Sequence, residues 1–228
     1  MILLFYLEDF IYLCKVTNHI ILMKVLLVNG GPHPSGCINT ALVEVAGALE
    51  ENGIETRIFH LGDHPISGCT GCTQCIKTGL CHINDVVNDF LQIDGDYDGF
   101  VFGSPVHYAS ASGMISSFMD RVFYLKNRRF AFKPAAAVVS CRRGGASAAL
   151  DRLNKYFTIS NMPVVSSQYW NMVHGNTPDE VRQDLEGMQI MRTLGHNMAW
   201  LLHCIEAGRT SGIPLPLPEK RIATNFIR

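Results

Sequence analysis

Five short apolar runs alternate with segments whose apolar residues recur at helical spacing, and that alternation leaves the chain few folds. "KVLLVNG" (24–30) is nearly continuous in apolar residues, the pattern of a strand buried on both faces. A glycine- and proline-rich loop follows, then a helix, "ALVEVAGALEENG", with Thr40 as its expected cap and Gly53 at its end. "IETRIFHLG" reads as a second strand and "NDVVNDFLQID" as a helix capped by Asn84. "YDGFVFGSPV" (97–106) is the third strand, and "SGMISSFMDRVFY" a helix striped by Ile115, Phe118, Met119 and Val122. "KPAAAVVSC" (133–141) and "MPVVSSQYW" (162–170) read as the fourth and fifth strands, with the helix "AALDRLNKYF" between them. Thr177-Pro178-Asp179-Glu180 combines a cap, a proline at the first helical position and an acid at the third. The long helix it opens carries Val181, Leu185, Met188, Met191, Leu194, Met198, Leu201 and Ile205.

This pattern predicts one doubly wound α/β domain over residues 23–208, with a five-stranded parallel sheet in the order 2-1-3-4-5. An apolar fraction of 47% supplies a sizeable core. A net charge of −1 gives no reason to expect a nucleic-acid partner or an anionic membrane. The first 22 residues are apolar but interrupted by Glu8 and Asp9, without a basic start or a small-x-small cleavage site. They fit neither a signal peptide nor a spanning helix. They are read as an extension outside the fold, either an upstream start or an amphipathic appendage. A cytoplasmic location follows, where thiols stay reduced. The proline-rich tail, 209–228, is expected to be irregular. The stripes of 181–205 and 114–123 exceed what one side of the sheet should need, which predicts a homodimer or homotetramer.

In such a sheet ligands bind at the carboxyl ends of the strands, which marks loops 30–40, 103–112 and 140–146. The first places backbone N–H groups and the side chains of Asn39 and Thr40 at a helix start, an anion site. It has no Gly-Lys-Ser/Thr and no Gly-x-Gly-x-x-Gly, and strand two ends without a ribose-binding acid. A mononucleotide phosphate therefore fits better than a dinucleotide; a plain strand-to-helix turn is the bland alternative. The second loop offers an imidazole and a phenol, His107 and Tyr108, beside exposed amides, as a flat heteroaromatic ring requires. The third sets Arg142 and Arg143 beside glycines that admit a close backbone approach. Trp170 reads as a core residue, with a place over a ligand edge as the alternative.

Four of the eight cysteines, Cys69, Cys72, Cys75 and Cys81, fall within "CTGCTQCIKTGLC". The spacing C-x2-C-x2-C-x5-C suits a cubane cluster, with Gly79 freeing the chain to return. Zinc more often takes two separated pairs, although His82 could serve as a ligand. A disulfide knot suits an exported chain rather than this one. A motif that holds no metal is the fourth reading. Cys14, Cys141 and Cys204 read as core or surface thiols, and Cys37 lies in the first ligand loop.

"NGGPHPSGCINTAL", "GSPVHYASASGMISSFMDR", "KPAAAVVSCRRGG" and "VVSSQYWNMVHGNTPDEV" together resemble the NADPH-dependent FMN reductase family of flavodoxin-like proteins. The cysteine segment is similar to its iron–sulfur flavoprotein branch. The resemblance implies FMN, with its phosphate at His33, Ser35, Cys37, Asn39 and Thr40. It sets the isoalloxazine against Pro105, Val106, His107 and Tyr108, touching Ser140, Arg142, Arg143 and Gly144. Gly31 stands where the family often has serine, and His33 where arginine is common. NAD(P)H is the implied electron donor, a small molecule the acceptor, and Cys69, Cys72, Cys75 and Cys81 the implied holders of a [4Fe–4S] cluster. Hydride transfer to a flavin needs no side-chain acid or base, so no catalytic residue is nominated. The alternative is an electron carrier serving a partner enzyme, with no substrate of its own.

Overall fold

The computed structural model describes residues 22–125, 129–220, 222–224 and 226–227. The expected extension over 1–22 lies, but for Leu22, outside the described residues. β1 (Lys24–Asn29) is buried from its second residue on. α1 (Cys37–Glu50) and β2 (Glu55–His60) follow, then the short α2 (Gln74–Thr78) and α3 (Val86–Ile93). β3 (Gly99–His107) turns back through the two-residue β4 (Ser110–Ala111) into α4 (Gly113–Tyr124). β5 (Ala135–Cys141), α5 (Ala146–Ile159), β6 (Met172–His174), α6 (Pro178–Gln183) and α7 (Leu185–Thr210) complete the chain. The parallel strands lie in the order β2-β1-β3-β5-β6, with β4 antiparallel on β3. Apart from that small addition, this is the expected doubly wound arrangement.

Alternation along the strands divides the core in two. Leu26, Val28, Phe100, Phe102, Ala135 and Ala137 face α3, α4 and α5. Phe90, Phe118, Phe130 and Phe157 fill that side, with Phe90 edge-on to Phe118 at 5.2 Å between centroids. Val25, Leu27, Val101, Ala136 and Val138 face α1 and α7. Gly195 of α7 meets α1 so closely that a Cβ there would lie 2.6 Å from the Ala48 methyl.

Several boundaries differ from the expectation. α1 starts at Cys37 with Gly36 as its cap, so Thr40 sits inside the first turn. Asp85, not Asn84, caps α3, accepting from the Val87 amide at 3.1 Å. The segment 162–170 touches the sheet only through a bridge between Val164 and Ala135. It then leaves the edge, held by Ser167 Oγ against the Tyr169 carbonyl and Asn171, and pairs with β5 only at 172–174. Thr177 caps α6 as expected, but the helix stops at Asp184. The Asp184 carboxylate accepts from the Gly187 and His174 amides, restarting the chain as α7 and tying it to β6. The Met-rich stripe belongs to the core: Val181, Met188, Met191, Leu194 and Met198 are buried within the chain, while Leu185 is exposed. Ile115, Phe118, Met119 and Val122 are likewise consumed by the fold. The expectation of a homodimer or homotetramer thereby loses the faces on which it rested. After α7, residues 211–220 form no helix or strand. Among the described residues no helix is long and apolar enough to cross a membrane.

Candidate functional site

The three marked loops meet at the carboxyl ends of β1, β3 and β5. Gly30 is forced by its neighbours: its N–H donates to the Gly103 carbonyl at 3.0 Å, and a Cβ would lie 2.7 Å from that oxygen. Asn29 is fully buried and shapes the next turn, its Oδ1 accepting from the Gly31 amide at 3.0 Å. His60 Nε2 lies 3.0 Å from the Gly31 carbonyl, which places the ring proton on Nε2. Because α1 has no side-chain cap, the first amides of the helix, those of Cys37, Ile38 and Asn39, have no intrahelical partner and carry the positive end of the helix dipole. His33 and Ser35 are exposed beside this helix start, Cys37 and Asn39 are half-buried, and Thr40 is buried. The Thr40 hydroxyl donates to the Gly36 carbonyl at 3.3 Å rather than capping the helix.

The second loop is a tight hairpin. Tyr108 and Ala109 both have positive φ, 50° and 58°, where glycine or asparagine is the usual choice. Tyr108 is fully exposed, His107 is exposed, and Pro105 and Val106 are half-buried. Ser104, which sequence reasoning passed over, is buried and accepts from the Ser112 amide at 3.0 Å. Ser112 caps α4 and its hydroxyl donates to the Gly30 carbonyl at 3.5 Å, tying the hairpin to the first loop. The third loop closes the rim: a Cβ on Gly145 would lie 2.7 Å from Ala109 Cα. Ser140 is buried, and burial pushes the Cys37 thiol above its usual pKa. Arg142, Arg143 and Gly144 are exposed on the same rim. Beside them an open cavity of about 440 Å³ is lined by Arg143, Tyr169, Trp170, His174 and Glu186. Trp170 is 57% exposed and paired with Tyr169 at 4.9 Å, so it is not a core residue.

The cysteine segment forms its own site. Cys69, Cys72, Cys75 and Cys81 line one pocket with His82, Arg121 and Tyr124. Cys75, on α2, is buried; Cys69 and Cys72 are exposed. Gly79 ends α2 in the left-handed conformation, at φ 75°. Burial pushes the Cys75 thiol up, and the nearby Cys81, Cys72 and Cys69 push it further. Among the described residues no cysteine is in a disulfide, and no group of three or more His, Cys, Asp or Glu side chains is arranged to hold a metal ion. Ser112 touches the first loop and Arg121 the cysteine pocket; nine residues of helix place them about 14 Å apart. The Arg121 wall of the pocket is thus displaced from the three-loop rim along α4.

The profile of the NADPH-dependent FMN reductase family matches residues 23–177. The chain belongs to that family. An iron–sulfur flavoprotein of Methanocaldococcus jannaschii is 31% identical over 195 residues, 81% of this chain and 100% of that one. The structure of RosB with bound 8-demethyl-8-formylriboflavin-5'-phosphate superposes with a TM-score of 0.64 at 14% identity, covering 90% and 94% of the two chains. FerB, an NAD(P)H:(acceptor) oxidoreductase from Paracoccus denitrificans, gives 0.58 at 16% identity over 80% and 98%. Both structural likenesses speak for the fold. In this family member the rim fits a flavin: Gly30 and Gly145 are kept bare by backbone contacts, and the first amides of α1 have no side-chain cap. The four thiols do not converge on a single ion, but they line one pocket, and in donor chemistry such a set fits an iron–sulfur cluster; the buried Arg121, itself paired with Asp85, donates to one of the sulfurs.

Proposed function

We propose that this flavoprotein binds FMN at the three-loop rim, takes electrons from NAD(P)H and passes them to a small acceptor. The observation that carries the reading is the mutual bracing of the loops through Gly30–Gly103, Ser112–Gly30 and Ala109–Gly145. Such bracing makes a preorganised cradle rather than three independent turns. The amides of Cys37, Ile38 and Asn39 receive the phosphate, with His33, Ser35 and Asn39 around it. Thr40 supports the turn, and contributes to the phosphate only by releasing the Gly36 carbonyl. Pro105, Val106, His107 and Tyr108 present backbone and ring to the isoalloxazine, and Ser140, Arg142, Arg143 and Gly144 close its other edge. The cavity at Tyr169, Trp170 and Arg143 opens beside that edge and has the aromatic and cationic lining that a planar donor or acceptor needs. Cys69, Cys72, Cys75 and Cys81 would hold a [4Fe–4S] cluster. Bound FMN supplies the hydride and electron chemistry, and a cluster at the thiols supplies single-electron exchange.

Anaerobic purification tests both parts. The extracted chromophore should have the mass of FMN, and the protein should carry about four irons per chain. Cys75→Ser should lose the iron and keep the FMN. FAD alone, or no flavin after reconstitution, refutes the first part; no iron and no labile sulfide after reconstitution refutes the second. Exposure of Cys69 and Cys72 favours a second reading, an electron carrier whose cluster faces a partner protein. NADPH turnover with free FMN, a quinone or an azo dye supports the reductase; slow NADPH oxidation with every small acceptor supports the carrier.

A further inference from the structure

Arg121, within α4, has a contact set that a simple salt bridge does not need. Its side chain is 1% exposed and all five of its N–H groups are used. Nε donates to Cys81 Sγ at 3.3 Å. Nη1 donates to the Ser67 carbonyl at 3.4 Å and to Asp85 Oδ2 at 2.5 Å. Nη2 donates to the Ile83 carbonyl at 2.9 Å and to Asp85 Oδ1 at 2.8 Å. The two-pronged contact with Asp85 fixes the guanidinium plane, and the carbonyls of Ser67 and Ile83 come from the two ends of the cysteine segment. That leaves the Nε edge aimed at one sulfur.

The same cysteine is held a second way. The buried Asn88 accepts from the Cys81 amide at 2.8 Å and donates to the Cys81 carbonyl at 2.9 Å. Cys81 is therefore fixed by its peptide and by its sulfur, whereas Cys69 and Cys72 lie on exposed loop.

We propose that Arg121 is a positioning residue of the cysteine site. It anchors Cys81 as the fixed ligand and raises the reduction potential of the cluster held there. The proposal rests on the reading of the four cysteines as cluster ligands. An N–H directed at a ligand sulfur stabilises the more negative, reduced state over the oxidised one, and burial strengthens that preference. Asp85 balances the guanidinium charge from the opposite edge, so what reaches the sulfur is the oriented Nε–H bond rather than a net positive charge. A lysine keeps the charge but cannot bridge Asp85, two carbonyls and a sulfur in one plane.

The test compares wild type, Arg121→Lys, and the pair Arg121→Met with Asp85→Asn, which avoids stranding a carboxylate. Each is purified anaerobically, reconstituted with iron and sulfide, and measured for FMN content, iron content and cluster midpoint potential, by redox titration followed by electron paramagnetic resonance. Both variants should retain FMN. In the double variant the one-electron equilibrium should shift about tenfold or more toward the oxidised cluster, about 59 mV, with Arg121→Lys between it and wild type. Loss of one iron, with the resonance of a three-iron cluster, would equally support the anchoring of Cys81. Iron content and potential equal to wild type in both variants overturn the proposal while leaving the cluster reading intact. No iron in reconstituted wild type removes the cluster reading, and this proposal with it.

Discussion

Replacing Tyr108 with glycine should make the flavin-free protein more stable and flavin binding weaker. Tyr108 holds φ at 50°, a left-handed conformation that costs an L-residue about 1–2 kcal/mol. The residue is fully exposed, so removal of its side chain sacrifices no packing. Glycine relieves the strain but loses about 0.5–1 kcal/mol through its larger freedom in the unfolded chain. The net gain is about 0–1.5 kcal/mol, a rise in Tm of up to about 6 °C for a chain of this size. Losing the phenol ring removes about 0.5–1.5 kcal/mol of stacking, which weakens FMN about 2- to 12-fold. Thermal unfolding of flavin-free protein reads the first effect, and quenching of FMN fluorescence on titration reads the second. Tyr108→Ala separates them: it keeps the strained φ, so it should lose affinity without gaining stability. A lower Tm in Tyr108→Gly would refute the strain argument. An unchanged Kd would remove Tyr108 from the flavin site.

Gly30→Ala should cost about 2–4 kcal/mol in urea unfolding, from overpacking against Ile115 and the lost bond to Gly103, and should abolish tight FMN binding. Unchanged stability and affinity would show that the cradle yields freely. Asp94 is buried, pairs with Arg129 through one oxygen and leaves the other without a partner; burial pushes its pKa up from 3.8 to about 6. The protonated form is thus the one the fold prefers. Its contribution to stability is full below pH 3.8 and is lost as pH rises through about 6, by up to about 3 kcal/mol. Stability of Asp94→Asn relative to wild type should therefore rise between pH 4 and pH 7 in urea titrations; a constant difference would contradict the shift. Asp184→Ala should cost about 0.5–2 kcal/mol by uncapping α7 and freeing the His174 amide, seen as a lower urea midpoint with FMN content retained.

The order of the parallel strands, and the three loops that meet at their carboxyl ends, were legible in the chain itself. A strand buried on both faces announces itself as a continuous apolar run, and the crossover rule leaves few ways to connect five of them. The cysteine grouping was legible for a similar reason, since its members are close in sequence and need only a short turn to share a pocket. What local pattern could not settle was partnership. Apolar periodicity at 181–205 reports a buried face but not what covers it, and α1 and the sheet cover it within one chain. The last strand moved from 162–170 to 172–174 because Ser167 and Asn171 organise the edge segment into a loop, a choice made by side-chain bonds that no period of two reveals. The start of α1 at Cys37, the break at Asp184 and the exposure of Trp170 likewise depend on the chain around them. Arg121 shows the limit most directly. In sequence it is one cation on an amphipathic helix, a position that ordinarily faces water. Its partners, Ser67, Cys81, Ile83 and Asp85, lie 36 to 54 residues away, and only the packing of α4 beside α3 turns a charged side chain inward against a sulfur.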